Sequence, residues 1–148
     1  MTHIRAMAAA DAAAVARLSG ELGYPTSGAE VSARLAVLAA RKEDGLFVAE
    51  LSPGEIVGWI HVSVDATLTD GPIAEIRGLV VDARHRGQGI GRELVAEAER
   101  WAAAHGHPRV RVRTRIARDD AHRFYRSCGF GLAKTQHVFD KKVEGEGW

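Results

Sequence analysis

Residues 84–91 read RHRGQGIG, and a strong helix sequence, RELVAEAERW, follows at once. Glycines at 87, 89 and 91 alternate with Gln88 and Ile90. Glycine is costly inside a helix or strand, because it loses the most backbone freedom on folding. Here the glycines stand between a strand-like run, AEIRGLVV at 74–81, and a helix start. A helix N-terminus carries unpaired N–H groups and a partial positive charge, so it attracts anions. Glycines remove the Cβ atoms that would hold a phosphate away, and Arg84 and Arg86 add formal charge. The stretch therefore predicts a strand–loop–helix unit that binds phosphate or pyrophosphate. A turn that only joins strand to helix is the plainer alternative. The P-loop pattern is absent, and the spacing G-x-G-x-G is not the dinucleotide pattern G-x-G-x-x-G.

The remaining chain reads as short alternating elements. Residues 3–7 predict a strand, and 11–22 a helix with Ala14, Val15, Leu18 and Leu22 on one face and Asp11 near its positive end. Ser27 and Glu30 form a capping-box pattern for a second helix to about Arg41, with Val31, Leu35 and Leu38 as its stripe. Strands are predicted at 46–51 and 55–64, joined by the turn SPG, and again at 74–81. The helix after the glycines runs from about Gly91 to Ala104, burying Leu94, Val95, Ala98, Trp101 and Ala102, with Gly106 as its C-cap. RVRVRTR at 109–115 alternates as a strand with four arginines on one face. Residues 119–127 predict a short helix stopped by Gly129, and 132–143 one or two last strands. The tail at 144–148 is expected to fray. This order predicts an α/β (α+β) chain, a single domain over 1–148, built on a mixed, mostly antiparallel sheet with helices on both faces.

Composition narrows the class. The 148 residues carry 20 basic and 19 acidic side chains, a balance that argues against a dedicated nucleic-acid or membrane-surface protein. No apolar run is long enough to span a membrane, and the N-terminus lacks the apolar core of a signal peptide. Cys128, the single cysteine, makes no internal disulfide, which fits a reducing cytoplasm, and it reads as a small buried residue. The seven histidines show no metal-ligand spacing, so no metal is expected.

R-H-R-G-Q-G at 84–89 fits [QR]-x-x-G-x-[GA], the signature of the GNAT superfamily of acetyl-CoA-dependent N-acetyltransferases. The likeness extends to A-E-I at 74–76 with L-V-V at 79–81, and to A-H-R-F-Y-R-S-C-G-F at 121–130, which is similar to the family's A-x-x-F-Y-x-x-x-G-F. The resemblance implies acetyl-CoA as cosubstrate. Its pyrophosphate would be held by Arg84, Arg86, Gly87, Gln88, Gly89, Ile90, Gly91 and Arg92. Main-chain groups of the Leu79, Val80, Val81 segment would pair with the pantetheine arm, and the Val81 N–H would receive the oxyanion. Arg118 stands where many members carry Asn, which puts one pantetheine or helix-start contact in doubt.

Acetyl transfer to an amine needs a held donor, a neutral amine, a stabilised oxyanion and a protonated leaving thiolate. Tyr125 matches the family tyrosine near the coenzyme sulfur and is the candidate acid; a core tyrosine beside Phe124 and Phe130 is the alternative. Glu75 is the candidate base, expected by alternation to share a face with Arg77, Leu79 and Val81; a strand carboxylate paired with Arg77 is the alternative. His61 is a second base candidate, and with Trp59 it lines a conceivable acceptor pocket. His122 reads as a helix-surface residue.

The acceptor is left open as a small-molecule or peptide amine. The segments expected to meet it hold Glu21, Tyr24, Pro25 and residues 136–140. Edge strands near the C-terminus would allow a homodimer. A non-catalytic acyl-CoA sensor and a basic-strand nucleic-acid module are the competing classes. The second is disfavoured by the charge balance and by the absence of aromatics among the strand arginines.

Overall fold

The computed structural model describes residues 2–21 and 23–144. Two compact units emerge, residues 1–115 and 116–148. In the first, β1 (His3–Ala6) precedes α1 (Ala12–Glu21) and α2 (Gly28–Leu38). β2 (Asp44–Ser52), β3 (Glu55–Thr67) and β4 (Gly71–Val81) follow, then α3 (Ile90–Ala104) and β5 (Val110–Val112). The second unit holds α4 (Asp119–Ser127).

The five strands lie in sequence order in one sheet. β1 to β4 pair antiparallel, and β5 joins β4 in parallel. α1 and α3 cover opposite faces. Trp59 on β3 packs with Val15 and Leu18 of α1, while a Cβ on the adjacent Gly58 would meet Leu94 and Ile90 of α3. Neighbouring strand residues point to opposite faces, so the sheet lies between the two helices. On the α3 side Ile90, Leu94, Val95, Ala98 and Ala102 are buried, each large aliphatic side chain worth about 1.5–3 kcal/mol. The chain is thus a mixed, mostly antiparallel sheet flanked on both faces, as the sequence predicts.

Local signals act as read. The Ser27 hydroxyl accepts the Glu30 N–H at 3.0 Å, and Glu30 accepts the Ser27 N–H at 2.9 Å, which closes the capping box. Asp11 is buried and accepts the Ala8 N–H and the Arg5 guanidinium. Three expectations are corrected. The strand expected over 109–115 shrinks to Val110–Val112, because its ladder with β4 reaches Ile76↔Val112 and stops. Residues 132–143, expected as one or two strands, form none among the described residues and are exposed throughout, so no burial of an apolar face favours a strand there. Cys128 is half-buried rather than buried. Leu22, placed on the first helix stripe, and residues 145–148 of the expected frayed tail lie outside the described residues.

Candidate active site

The glycine loop opens α3. Gly87 and Gly89 take φ of 78° and 84°, the left-handed region that other residues adopt at a cost. Gly89 is the N-cap, and a Cβ built on either glycine would meet nothing within 4 Å. The glycines are therefore required by conformation, and the space above the loop is open. Alternating left-handed residues turn successive N–H groups toward one side, and a 15-residue helix adds its positive end. The loop thus fits a pyrophosphate. Gln88 and Arg86 are exposed beside it, while Ile90 is buried and anchors the helix start. Gly91 is half-buried and Arg92 exposed in the first turn.

Arg84 is already engaged. Its Nε and terminal nitrogen reach the buried carboxylate of Asp82 at 3.3 and 3.0 Å. The Arg84 side chain and its N–H hold the Asp82 carboxyl far below the usual carboxylate range, against the opposing effect of burial. Among the described residues Arg86 makes no hydrogen bond or ion pair, so of the two exposed arginines before Gly87 it is the one not engaged by a carboxylate.

β4 presents an open edge next to the loop. Its ladder with β5 covers only Ala74, Glu75 and Ile76. Beyond that point Asp82 donates its N–H to the Val57 carbonyl at 2.8 Å, and Val81 stands opposite Gly58. In an antiparallel pair hydrogen-bonded and non-bonded residues alternate, so the main-chain groups of Val81 and Leu79 face away from β3. They face the side where β5 no longer pairs. Val80, between them, turns its side chain into the core with Val15, Leu18 and Trp59.

Glu75 is buried, and its oxygens are held by two guanidiniums. Arg77 donates at 2.8 Å, and Arg113 Nε lies 3.2 and 3.3 Å from the two oxygens. Arg77 also binds Ser63 and Asp65. The expected shared face with Leu79 and Val81 is overturned. His61 pairs with Gly78 but Val62 pairs with Ile76, so Arg77 is an extra residue on β4 and reverses the alternation. Glu75 lies on the α1 face, whereas Leu79 and Val81, opposite Ile60 and Gly58, lie on the α3 face.

His61 Nε2 lies 2.7 Å from the buried Asp44 carboxylate, whose other oxygen takes Arg41 at 2.6 Å. Burial pushes that carboxyl up, but the His61 and Arg41 hydrogen bonds outweigh it and leave it below its usual range. Trp59 lies over Gly78, where a Cβ would come within 2.7 Å of the ring. Among the described residues no group of three His, Cys, Asp or Glu side chains is placed to hold a metal.

In the second unit Arg118 is the N-cap of α4 and makes no side-chain cap. Asp119 and Asp120 in the first turn supply negative charge at the positive helix end instead. Tyr125 packs edge-on against Phe124 and Phe130, with ring centroids 5.1 and 5.6 Å away. Burial pushes its phenol up to about 12; Arg118 pulls the other way, and Cys128 adds slightly to the rise. The proton therefore stays on the oxygen at neutral pH. Sequence reasoning missed Asp82, Asp44 and Arg17. The first had a readable signal, an Asp two residues before Arg84 at Asx-turn spacing.

A family model described as "Acetyltransferase (GNAT) family" matches residues 14–130. An aminoglycoside N(6')-acetyltransferase type 1 of Stenotrophomonas maltophilia is 30% identical over 145 residues, covering 95% of this chain and 94% of the relative. An aminoalkylphosphonate N-acetyltransferase of Salmonella typhimurium is 42% identical over 81 residues, covering 54% and 53%. A solved aminoglycoside N-acetyltransferase in complex with CoA has the same fold, with a TM-score of 0.86 at 18% identity over 97% of this chain and 96% of that one. The chain belongs to the acetyltransferase (GNAT) family and is an N-acetyltransferase. These relatives do not favour a non-catalytic sensor. No helix among the described residues is long and apolar enough to cross a membrane.

Proposed function

We propose that this chain transfers the acetyl group of acetyl-CoA to a primary amine by direct attack in a ternary complex. The observation that carries the reading is the pair of left-handed glycines, 87 and 89, at the head of α3 beside the open edge of β4. The loop N–H groups and Arg86 bind the pyrophosphate, and the main chain of Leu79 and Val81 binds the pantetheine arm as an added strand. The neutral amine attacks the thioester carbon, the Val81 N–H receives the oxyanion, and the carbon–sulfur bond then breaks. One amine proton passes through water to Glu75, since both its oxygens already accept from guanidiniums. Tyr125 gives its proton to the leaving thiolate.

The names of the relatives put aminoglycosides and aminoalkylphosphonates first among the amines to try. We place the protein in the cytoplasm, because its single cysteine, Cys128, is a free thiol suited to a reducing compartment. A homodimer belongs to the same reading: Leu132, Val138, Phe139 and Val143 are exposed apolar side chains for a second copy to cover. A monomeric mass in solution would remove that element. The test of the donor site is thermal unfolding with acetyl-CoA and with ATP. At about 100 times its dissociation constant a ligand adds about 2.7 kcal/mol, a rise of several degrees. Acetyl-CoA should give that rise and ATP should not. A flat response to millimolar acetyl-CoA would end the reading.

A further inference from the structure

We propose that Asp82 is a positioning residue for acetyl-CoA, a buried clamp that fixes the turn launching the glycine loop. The inference rests on the loop being the pyrophosphate site. Glycine loops are conformationally free, and a cradle of N–H groups binds well only when it is held in place before the ligand arrives. At its far end this loop is held by Ile90, buried under the sheet. A Cβ on either left-handed glycine, Gly87 or Gly89, would meet nothing within 4 Å, so neither glycine is braced from the side its Cβ would occupy. The near end of the loop is therefore where a second anchor is needed, and Asp82 stands there at 1% exposure.

The contacts of Asp82 all serve that turn. Its N–H extends the ladder to Val57 at 2.8 Å, and its carbonyl accepts the His85 N–H at 2.9 Å. One carboxylate oxygen accepts the Arg84 N–H at 3.0 Å and Arg84 Nε at 3.3 Å. The other takes the Arg84 terminal nitrogen at 3.0 Å and lies 3.5 Å from Arg17 of α1. Arg17 in turn donates to the Ile56 carbonyl at 3.3 Å. The clamp thus ties β4, α1 and the residues just before Arg86 together. It also gives the two loop arginines different work. Arg84 is spent on Asp82, so Arg86 meets the phosphates.

The experiment is calorimetric titration of coenzyme A into wild type, Asp82→Asn and Arg84→Ala, with steady-state kinetics on each. Asp82→Asn should weaken coenzyme A at least about tenfold, the affinity equivalent of one hydrogen bond to a charged group. Its KM for acetyl-CoA should rise by a similar factor, while kcat at saturation and KM for the amine stay close to wild type. A purely structural role would lower the melting temperature and leave affinity unchanged in the folded protein. Unchanged or tighter binding by folded Asp82→Asn overturns the proposal. Should that variant fail to fold, Arg84→Ala decides. Its side chain is largely exposed, so it tests the clamp from outside, and weaker coenzyme binding is again expected. Unchanged binding by Arg84→Ala would then overturn the clamp. Wild type that binds no coenzyme A would overturn the functional reading itself, and the clamp with it.

Discussion

Tyr125 carries the sharpest expectation at a single side chain. Tyr125→Phe keeps the packing against Phe124 and Phe130 and removes the proposed acid. Its kcat should fall on the order of 100-fold, with KM for acetyl-CoA little changed. Burial raises the phenol to about 12, so the acid form persists as pH climbs through the ordinary tyrosine value near 10. The wild-type rate profile should therefore show no falling limb from Tyr125 near pH 10, and a limb there that vanishes in Tyr125→Phe would contradict the raised phenol, while a Tyr125→Phe with full kcat would contradict the acid assignment. Gly89→Ala should lose about 1–2 kcal/mol of stability, because φ of 84° strains any residue with a Cβ. Chemical denaturation measures that loss. Both residues were legible because their signals are local, a motif and a glycine spacing. The partners of Glu75 and His61 were only partly so. Arg77 is two residues away and was weighed, whereas Arg113 and Asp44 are brought in by ladders between distant strands.

At the scale of elements, period and punctuation gave the right helices and the first four strands. The capping box set the start of α2, and SPG set the hairpin between β2 and β3. What was not legible was where pairing stops. Alternation in 109–115 is equally good along its length, yet β5 ends where its ladder with β4 ends. The register shift at Arg77 is likewise invisible to a period-two pattern, and it reversed the face assigned to Leu79 and Val81. β4 makes its own prediction. Gly78→Ala would put a Cβ within 2.7–2.8 Å of the Trp59 ring, too close without moving the indole. It should cost about 1–3 kcal/mol and shift the tryptophan emission. Normal stability with unchanged emission would mean that the ring has room to move.

At the scale of the whole molecule, buried and hydrogen-bonded carboxylates set the response to acid. Arg5 and the Ala8 N–H hold Asp11 low, Gly54 and Arg5 hold Glu50 low, and Asp44 and Asp82 are also depressed. A carboxyl depressed in the folded state binds its proton first in the unfolded chain. Its contribution is therefore complete above the unfolded value of about 4 and is lost as pH falls toward the folded value. The melting temperature should stay nearly level from about pH 7 to 5 and fall steeply below about pH 4. A molecule equally stable at pH 3 and pH 6 would show that these pairs contribute little.

The central proposal for the molecule is direct transfer of an acetyl group from acetyl-CoA to an amine. Release of coenzyme thiol from acetyl-CoA, followed with and without amines of the aminoglycoside and aminoalkylphosphonate classes, tests that reaction most directly. The prediction is thiol release only when donor and a suitable amine are both present, one thiol for each amide formed. Release at the same rate without any amine would contradict direct transfer, and no release across a broad amine panel by protein that binds acetyl-CoA would contradict the proposed activity.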